Sequence, residues 1–213
     1  MDQELKDYIR ATKAYLKGLT DVKAAFEDVA KAMAKEVAII RETQDKGGSV
    51  IPEIQYADIE SGAVTEDQIA ALKHRGCAIV RGVFARDQAE AWNRQLGEYI
   101  EANDYLTRAK EKAGMDTYFA DLKDGAPQIY GLYWSKPQVE ARQAESMALT
   151  KRFLNRLYDV SGPMGDEFDP DHDYAYADRT RRREPGDTTL GLSPHMDSGS
   201  YERWVDPAYQ KIY

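Results

Sequence analysis

Residues 46 to 52, KGGSVIP, put two glycines and a proline within seven positions. No regular element runs through such a stretch. Each glycine weakens a helix by about 1 kcal/mol relative to alanine, and proline removes a backbone donor. The run therefore divides the chain into an N-terminal helical arm, residues 1–45, and a partial α+β domain over 52–213. The arm reads as two helices. In the second, Thr20 or Asp21 can cap, and Val22, Phe26, Val29, Met33, Val37 and Ile40 recur at three- and four-residue steps, laying one apolar stripe along the helix. Such a stripe is either a dimerisation seam or the face by which the arm packs on its own domain; the second is the commoner outcome.

Beyond the break the pattern alternates. TEDQIAALKHRG predicts a short helix with a capping box from Thr65 to Gln68 and a stop at Gly76. CAIVRGVF follows as a short apolar run suited to a buried strand. Residues 86 to 103 regain helical spacing, with Ala89, Trp92, Leu96 and Ile100 on one face. APQIYGLYW reads as a strand. Ser135, Pro137 and Gln138 then start a helix that runs to about Tyr158. Residues 159 to 173 carry six acidic residues and no lysine or arginine. They lack the ligand order of a calcium loop and read as a solvated loop.

Charge and composition exclude several classes. The net charge of −8 argues against nucleic-acid binding, which favours a basic surface. No window is apolar enough for a membrane span, and the charged start, MDQELKDYIR, does not read as a secretory signal. Cys77 is the single cysteine, so an internal disulfide is excluded and a thiolate zinc site disfavoured. These features fit a cytoplasmic protein.

Chemistry concentrates in the last forty residues. YAYADRTRRREPGDTTLGLSPHMD reads as a hairpin turning at Pro185-Gly186. Strand alternation puts Arg179, Arg181 and Arg183 on one face, and Tyr174, Tyr176, Asp178 and Arg182 on the other. The arginines either form a solvated face, pair with the acidic loop, or meet an anionic substrate. His195 and Asp197 follow at i and i+2, a spacing that brings an imidazole and a carboxylate to the same side of a strand. Two such ligands and a distal histidine make the facial triad of non-haem iron(II) oxygenases. In a chain with three histidines, chance alone yields an H-x-D about 0.3 times, so the motif needs its context.

That context is a resemblance. LGLSPHMDSGSYERWVDPAYQKIY resembles the YbiU-like family of unknown function, DUF1479, within the iron(II)- and 2-oxoglutarate-dependent oxygenase superfamily. GCAIVRGVF, QIYGLYWSKPQVEARQ and YADRTRRREPGD are similar to other segments of that family. The resemblance implies a double-stranded β-helix core, a jelly roll related to the cupins, with His195 and Asp197 as iron ligands and 2-oxoglutarate as co-substrate. Tyr130, Trp134 and Arg179 are candidates for the wall of the substrate pocket; the substrate itself is an unidentified small molecule.

The same resemblance exposes a departure. Members of the family are about twice as long, and their distal histidine and carboxylate-binding cation lie beyond this motif. Nothing in SGSYERWVDPAYQKIY supplies that histidine, and Arg203 is too close to the motif to be the cation. The expectation is the N-terminal half of an oxygenase with an incomplete barrel, without turnover as the isolated chain. An open half-barrel is poorly soluble, or pairs with another copy or a complementing C-terminal half. The competing reading is a non-catalytic half-domain that binds metal or another protein.

Overall fold

A computed structural model of the chain describes residues 3–19, 21–105, 107–108, 129–159 and 169–181. The chain separates into two compact units, Met1–Pro52 with Arg75–Cys77, and Glu53–His74 with Ala78–Tyr213.

The first unit holds α1 (Gln3–Leu19) and α2 (Val22–Asp45). Asp21 caps α2: its backbone is extended and its carboxylate accepts from the amides of Lys23 (3.0 Å) and Ala24 (3.1 Å), satisfying donors that a helix start leaves without internal partners. The apolar stripe of α2 is exposed, with Phe26 at 72% and Met33 at 62%. The break that ends the arm is built as the residue types require, with Gly47 at φ +74°.

The second unit opens with β1 (Glu53–Gln55), α3 (Tyr56–Ser61), α4 (Glu66–Arg75) and β2 (Ile79–Arg81). β1 and β2 are parallel, with Ile54 opposite Val80. Parallel strands need a crossover, and α3 and α4 provide it. Ile54 is fully buried, while Glu53 and Arg81 form a two-pronged ion pair at 2.7 and 3.1 Å on the outer side. The Thr65–Gln68 capping box forms as the sequence predicts, and Gly76 takes φ +67° just past α4. β2 departs from the expected buried strand: Ile79 and Arg81 are exposed and Val80 is half-buried. Among the described residues β2 has a single strand neighbour, β1, and its apolar composition does not translate into burial there.

α5 (Arg86–Ala102) covers the predicted 86–103 and buries Ile100. Trp92 stands edge-to-face on Phe84, with centroids 5.1 Å apart, and its indole N–H donates to Glu140 at 2.8 Å. The expected strand in APQIYGLYW is described from Ile129 onward, where β3 is Ile129–Tyr130 and residues 131–135 are not strand. The Gly131 amide donates to the Tyr105 hydroxyl at 2.5 Å, and a Cβ at residue 131 would lie 3.1 Å from that oxygen. The glycine thus permits a close approach that ends the strand. The single helix expected from Lys136 to Tyr158 is two, α6 (Lys136–Arg142) and α7 (Glu145–Asn155). Ala144 is extended between them, and no residue type there marks a stop. α6 does begin with the Ser135–Gln138 capping box and a proline in its first turn.

β4 (Thr180–Arg181) pairs antiparallel with β3, setting Tyr130 opposite Thr180 and Ile129 opposite Arg181. The turn at Pro185-Gly186 and the arm beyond it lie outside the described residues. Among the described residues the architecture is therefore a mixed, largely helical α+β one with two small sheets. No helix among the described residues is long and apolar enough to cross a membrane.

Candidate functional site

His195 and Asp197 lie outside the described residues. What the structure describes is the ground from which that segment departs: the β3–β4 ladder, the loop after β3 and the start of α6. The three proposed pocket residues come from this region. Tyr130 is in β3, directly across the ladder from Thr180. Arg179 precedes β4, and its guanidinium lies 5.5 Å from the centre of the Tyr133 ring. Trp134 is 75% exposed, and Arg142 lies over its ring at 5.0 Å. These are cation–π distances. Two arginine–aromatic pairs from consecutive aromatic residues therefore flank the ladder.

One buried side chain ties this region together. Gln138, 7% exposed, sits at the third position of α6. Its amide oxygen accepts from the Ser135 amide (3.2 Å) and hydroxyl (2.8 Å), completing the cap. Its amide nitrogen donates to the Leu132 carbonyl at 2.9 Å and to the Asp178 carbonyl at 3.0 Å. Arg142, one turn on, donates to the Asp178 carboxylate and to the Tyr133 carbonyl at 3.0 Å. The end of β3 and the approach to β4 are thus fastened to one helix start. The sequence signals the cap, because Ser-x-x-Gln is a local pattern. It does not signal Asp178, whose partners lie 36 and 40 residues away.

Over its described part, 169–173, the acidic run is an irregular, largely exposed loop, as expected, and ion pairs tie it to α7. Asp171 pairs with Arg156 at the end of α7, and Asp173 pairs with Lys151 at 2.6 Å. Arg152 donates to the Asp171 carbonyl at 3.1 Å, and Asn155 to the Pro170 carbonyl at 3.3 Å. Among the described residues, Asp171 and Asp173 are thus paired with cations on and just after α7. His172 adds a contact of 2.6 Å between its Nδ1 and the Asp169 carboxylate. Among the described residues no three His, Cys, Asp or Glu side chains gather closely enough to hold a metal. The alternating Asp169, Asp171 and Asp173 are engaged with cations of the protein itself, or with His172.

These pairs carry a pH dependence. The hydrogen bond from Lys151, with its charge and that of Arg152, holds the Asp173 carboxyl below its ordinary 3.8. The Asp171 amide, followed by the His172 ring, does the same for Asp169. A depressed carboxyl contributes stability above its unfolded value, and that contribution is lost as pH falls through its lower folded value. Carboxyl carbon NMR titration is expected to give midpoints below 3.8 for both. Lys151→Ala should move the Asp173 midpoint back up. An ordinary midpoint for Asp173 in the unsubstituted chain would mean that the loop is not docked on α7.

Known proteins define the class to which this α+β chain belongs. The Gig2-like family profile matches residues 3–213, so the chain belongs to the Gig2-like family. It is 40% identical over 209 residues to the uncharacterized protein YbiU of Escherichia coli K12, covering 98% of this chain and 49% of that one. A crystal structure from Salmonella typhimurium LT2, of a protein provisionally assigned as an oxidoreductase, superposes with a TM-score of 0.82 at 38% identity. It covers 100% of this chain and 51% of its own. The crystal structure of GlcNAc Inducible Gene 2 (DUF1479) of Candida albicans matches 77% of this chain and 32% of its own, with a TM-score of 0.54 at 28% identity. The chain spans about half the length of the bacterial relatives.

Proposed function

We propose that this chain is the N-terminal half of a non-haem iron(II)- and 2-oxoglutarate-dependent oxidoreductase acting on a small molecule, with His195 and Asp197 as two of its three protein ligands. The observation that carries this reading is the H-x-D pair inside a chain that shares 38% identity and a TM-score of 0.82 with a provisionally assigned oxidoreductase. One imidazole and one carboxylate are the donor types that suit iron(II) while leaving positions open. Bound there, iron(II) would supply the oxidation of substrate by dioxygen, one oxygen atom passing to the substrate and the other to the succinate left when 2-oxoglutarate loses carbon dioxide.

In this reading the second half brings the distal histidine, the cation for the 2-oxoglutarate carboxylate and the strands that close a jelly roll. The present chain brings the first two ligands and one wall. Tyr130, Trp134 and Arg179 belong to that wall, and the Gln138–Asp178 fastening holds the strand that leads toward the ligands. Two ligands without a third, and without the partners that orient it, hold a metal weakly.

The expected result is that the 213-residue chain alone makes no succinate from 2-oxoglutarate beyond what free iron makes. The chain completed by the second half of the E. coli relative should do so, and His195→Ala should abolish it. Turnover by the isolated chain, or undiminished turnover in the completed His195→Ala variant, contradicts the proposal.

A further inference from the structure

Four of the five residues 179–183 are arginine, in a chain whose net charge is −8. Two of them, Arg179 and Arg181, fall within the described residues. Arg181 stands in β4 opposite Ile129. Arg179 comes two positions earlier, so strand alternation puts both on one face, about 6.6 Å apart along the chain. Like charges at that spacing repel. The carboxylates beside this strand are matched by other cations, Asp178 by Arg142 and Asp173 by Lys151. Among the described residues Arg181 makes no ion pair, side-chain hydrogen bond or ring contact.

Arg179 is held in place from two sides. Its guanidinium lies 5.5 Å from the centre of the Tyr133 ring. Both supports of that stack are fixed by one side chain, because Arg142 donates to the Tyr133 carbonyl at 3.0 Å and to the carboxylate of Asp178, the residue before Arg179. Gln138 adds a bond to the Asp178 carbonyl at 3.0 Å. The start of α6 therefore sets the backbone and the ring on which Arg179 rests. A guanidinium is a planar fork of donors that matches the two oxygens of a carboxylate or a phosphate. One fork already ordered loses little freedom when such a group arrives. A second, two residues on, can close on the same group, and the anion relieves the repulsion between them.

We infer that Arg179 and Arg181 bind an anionic group, a carboxylate or a phosphate ester, of the small-molecule substrate. The inference rests on the reading of this region as the substrate wall. It concerns the substrate and not 2-oxoglutarate, whose cation that reading puts in the second half. The test needs no iron. Its failure leaves the His195 and Asp197 assignment standing, and loss of that assignment leaves the anion site standing.

The arginine Nε–Hε resonances of the 213-residue chain are followed by NMR while methyl phosphate or acetate is added. Those of Arg179 and Arg181 are expected to move together and saturate, with one of the two anions the tighter. Arg86, exposed on α5, should not follow them. Arg181→Gln should weaken binding about tenfold, the loss of one charge-assisted hydrogen bond, with the Arg142 resonance unmoved. Arg181→Lys, which keeps the charge without the fork, should fall between. Shifts that never saturate, that appear equally at Arg86, or that survive both Arg179→Gln and Arg181→Gln overturn the inference. A response to 2-oxoglutarate far tighter than to acetate, and lost in Arg181→Gln, overturns it too, because the pair would then be the cation of the co-substrate.

Discussion

Ile54→Ala is expected to lower the unfolding free energy of the second unit by about 2–5 kcal/mol, the range for truncating a buried aliphatic side chain. Ile54 is the one large side chain fully buried among the described residues, and of the other apolar ones described only Ile100 and Pro137 are buried. It sits at the centre of β1, opposite Val80 and between the exposed Glu53 and Gln55. A core so concentrated has few other contacts to compensate for a cavity, so the cost falls toward the upper part of that range. Urea unfolding followed by circular dichroism measures it. Ile54→Val should cost about 0.5–1.5 kcal/mol, giving a graded series. A loss well under 1 kcal/mol for Ile54→Ala would mean that the β1–β2 pair is not where the unit is held together.

Gln138→Ala is the second large effect, about 3 kcal/mol, because it strands several polar groups at once. The Asp178 carbonyl loses a donor, the Leu132 carbonyl is left with the Thr180 amide alone, and the Ser135 amide and hydroxyl lose the acceptor that closes the cap. The capping role and the long-range role separate in Gln138→Glu. A glutamate keeps an oxygen for Ser135, but it replaces the donating nitrogen with a second oxygen facing the Asp178 carbonyl and carboxylate. It should therefore cost at least as much as alanine at neutral pH, and less as the pH falls and the new carboxyl protonates. If Gln138→Glu is as stable as the unsubstituted chain, the residue serves the cap alone and does not fasten β4.

What was legible in the sequence is what neighbouring residues decide among themselves. The caps at Asp21, Thr65 and Ser135, the stops at Gly47 and Gly76 and the extent of α5 all come from contacts within one helical turn, and each forms where its residues stand. The failures concern what distant segments do to one another. CAIVRGVF is apolar enough for a central strand, yet among the described residues β2 has one strand neighbour and lies half open. The described end of the acidic run is largely exposed, as expected, but its ion-pair partners, Lys151, Arg152 and Arg156, sit one helix earlier and carry no local sign of the pairing. Asp178 carries no local sign of its importance; Gln138 and Arg142 give it one only after folding. Tyr130, Trp134 and Arg179 come from one small region, a placement that depends on the β3–β4 register.

Measuring iron(II) binding without oxygen tests the central claim most directly. The titration uses the chain completed by the second half of the E. coli relative, together with its His195→Ala, Asp197→Ala and His172→Ala variants. The account predicts one iron(II) per chain, lost in the His195 and Asp197 variants and kept in the His172 variant, whose ring already engages Asp169. Binding that survives both the His195 and the Asp197 substitution would contradict it and move the metal site elsewhere in the protein.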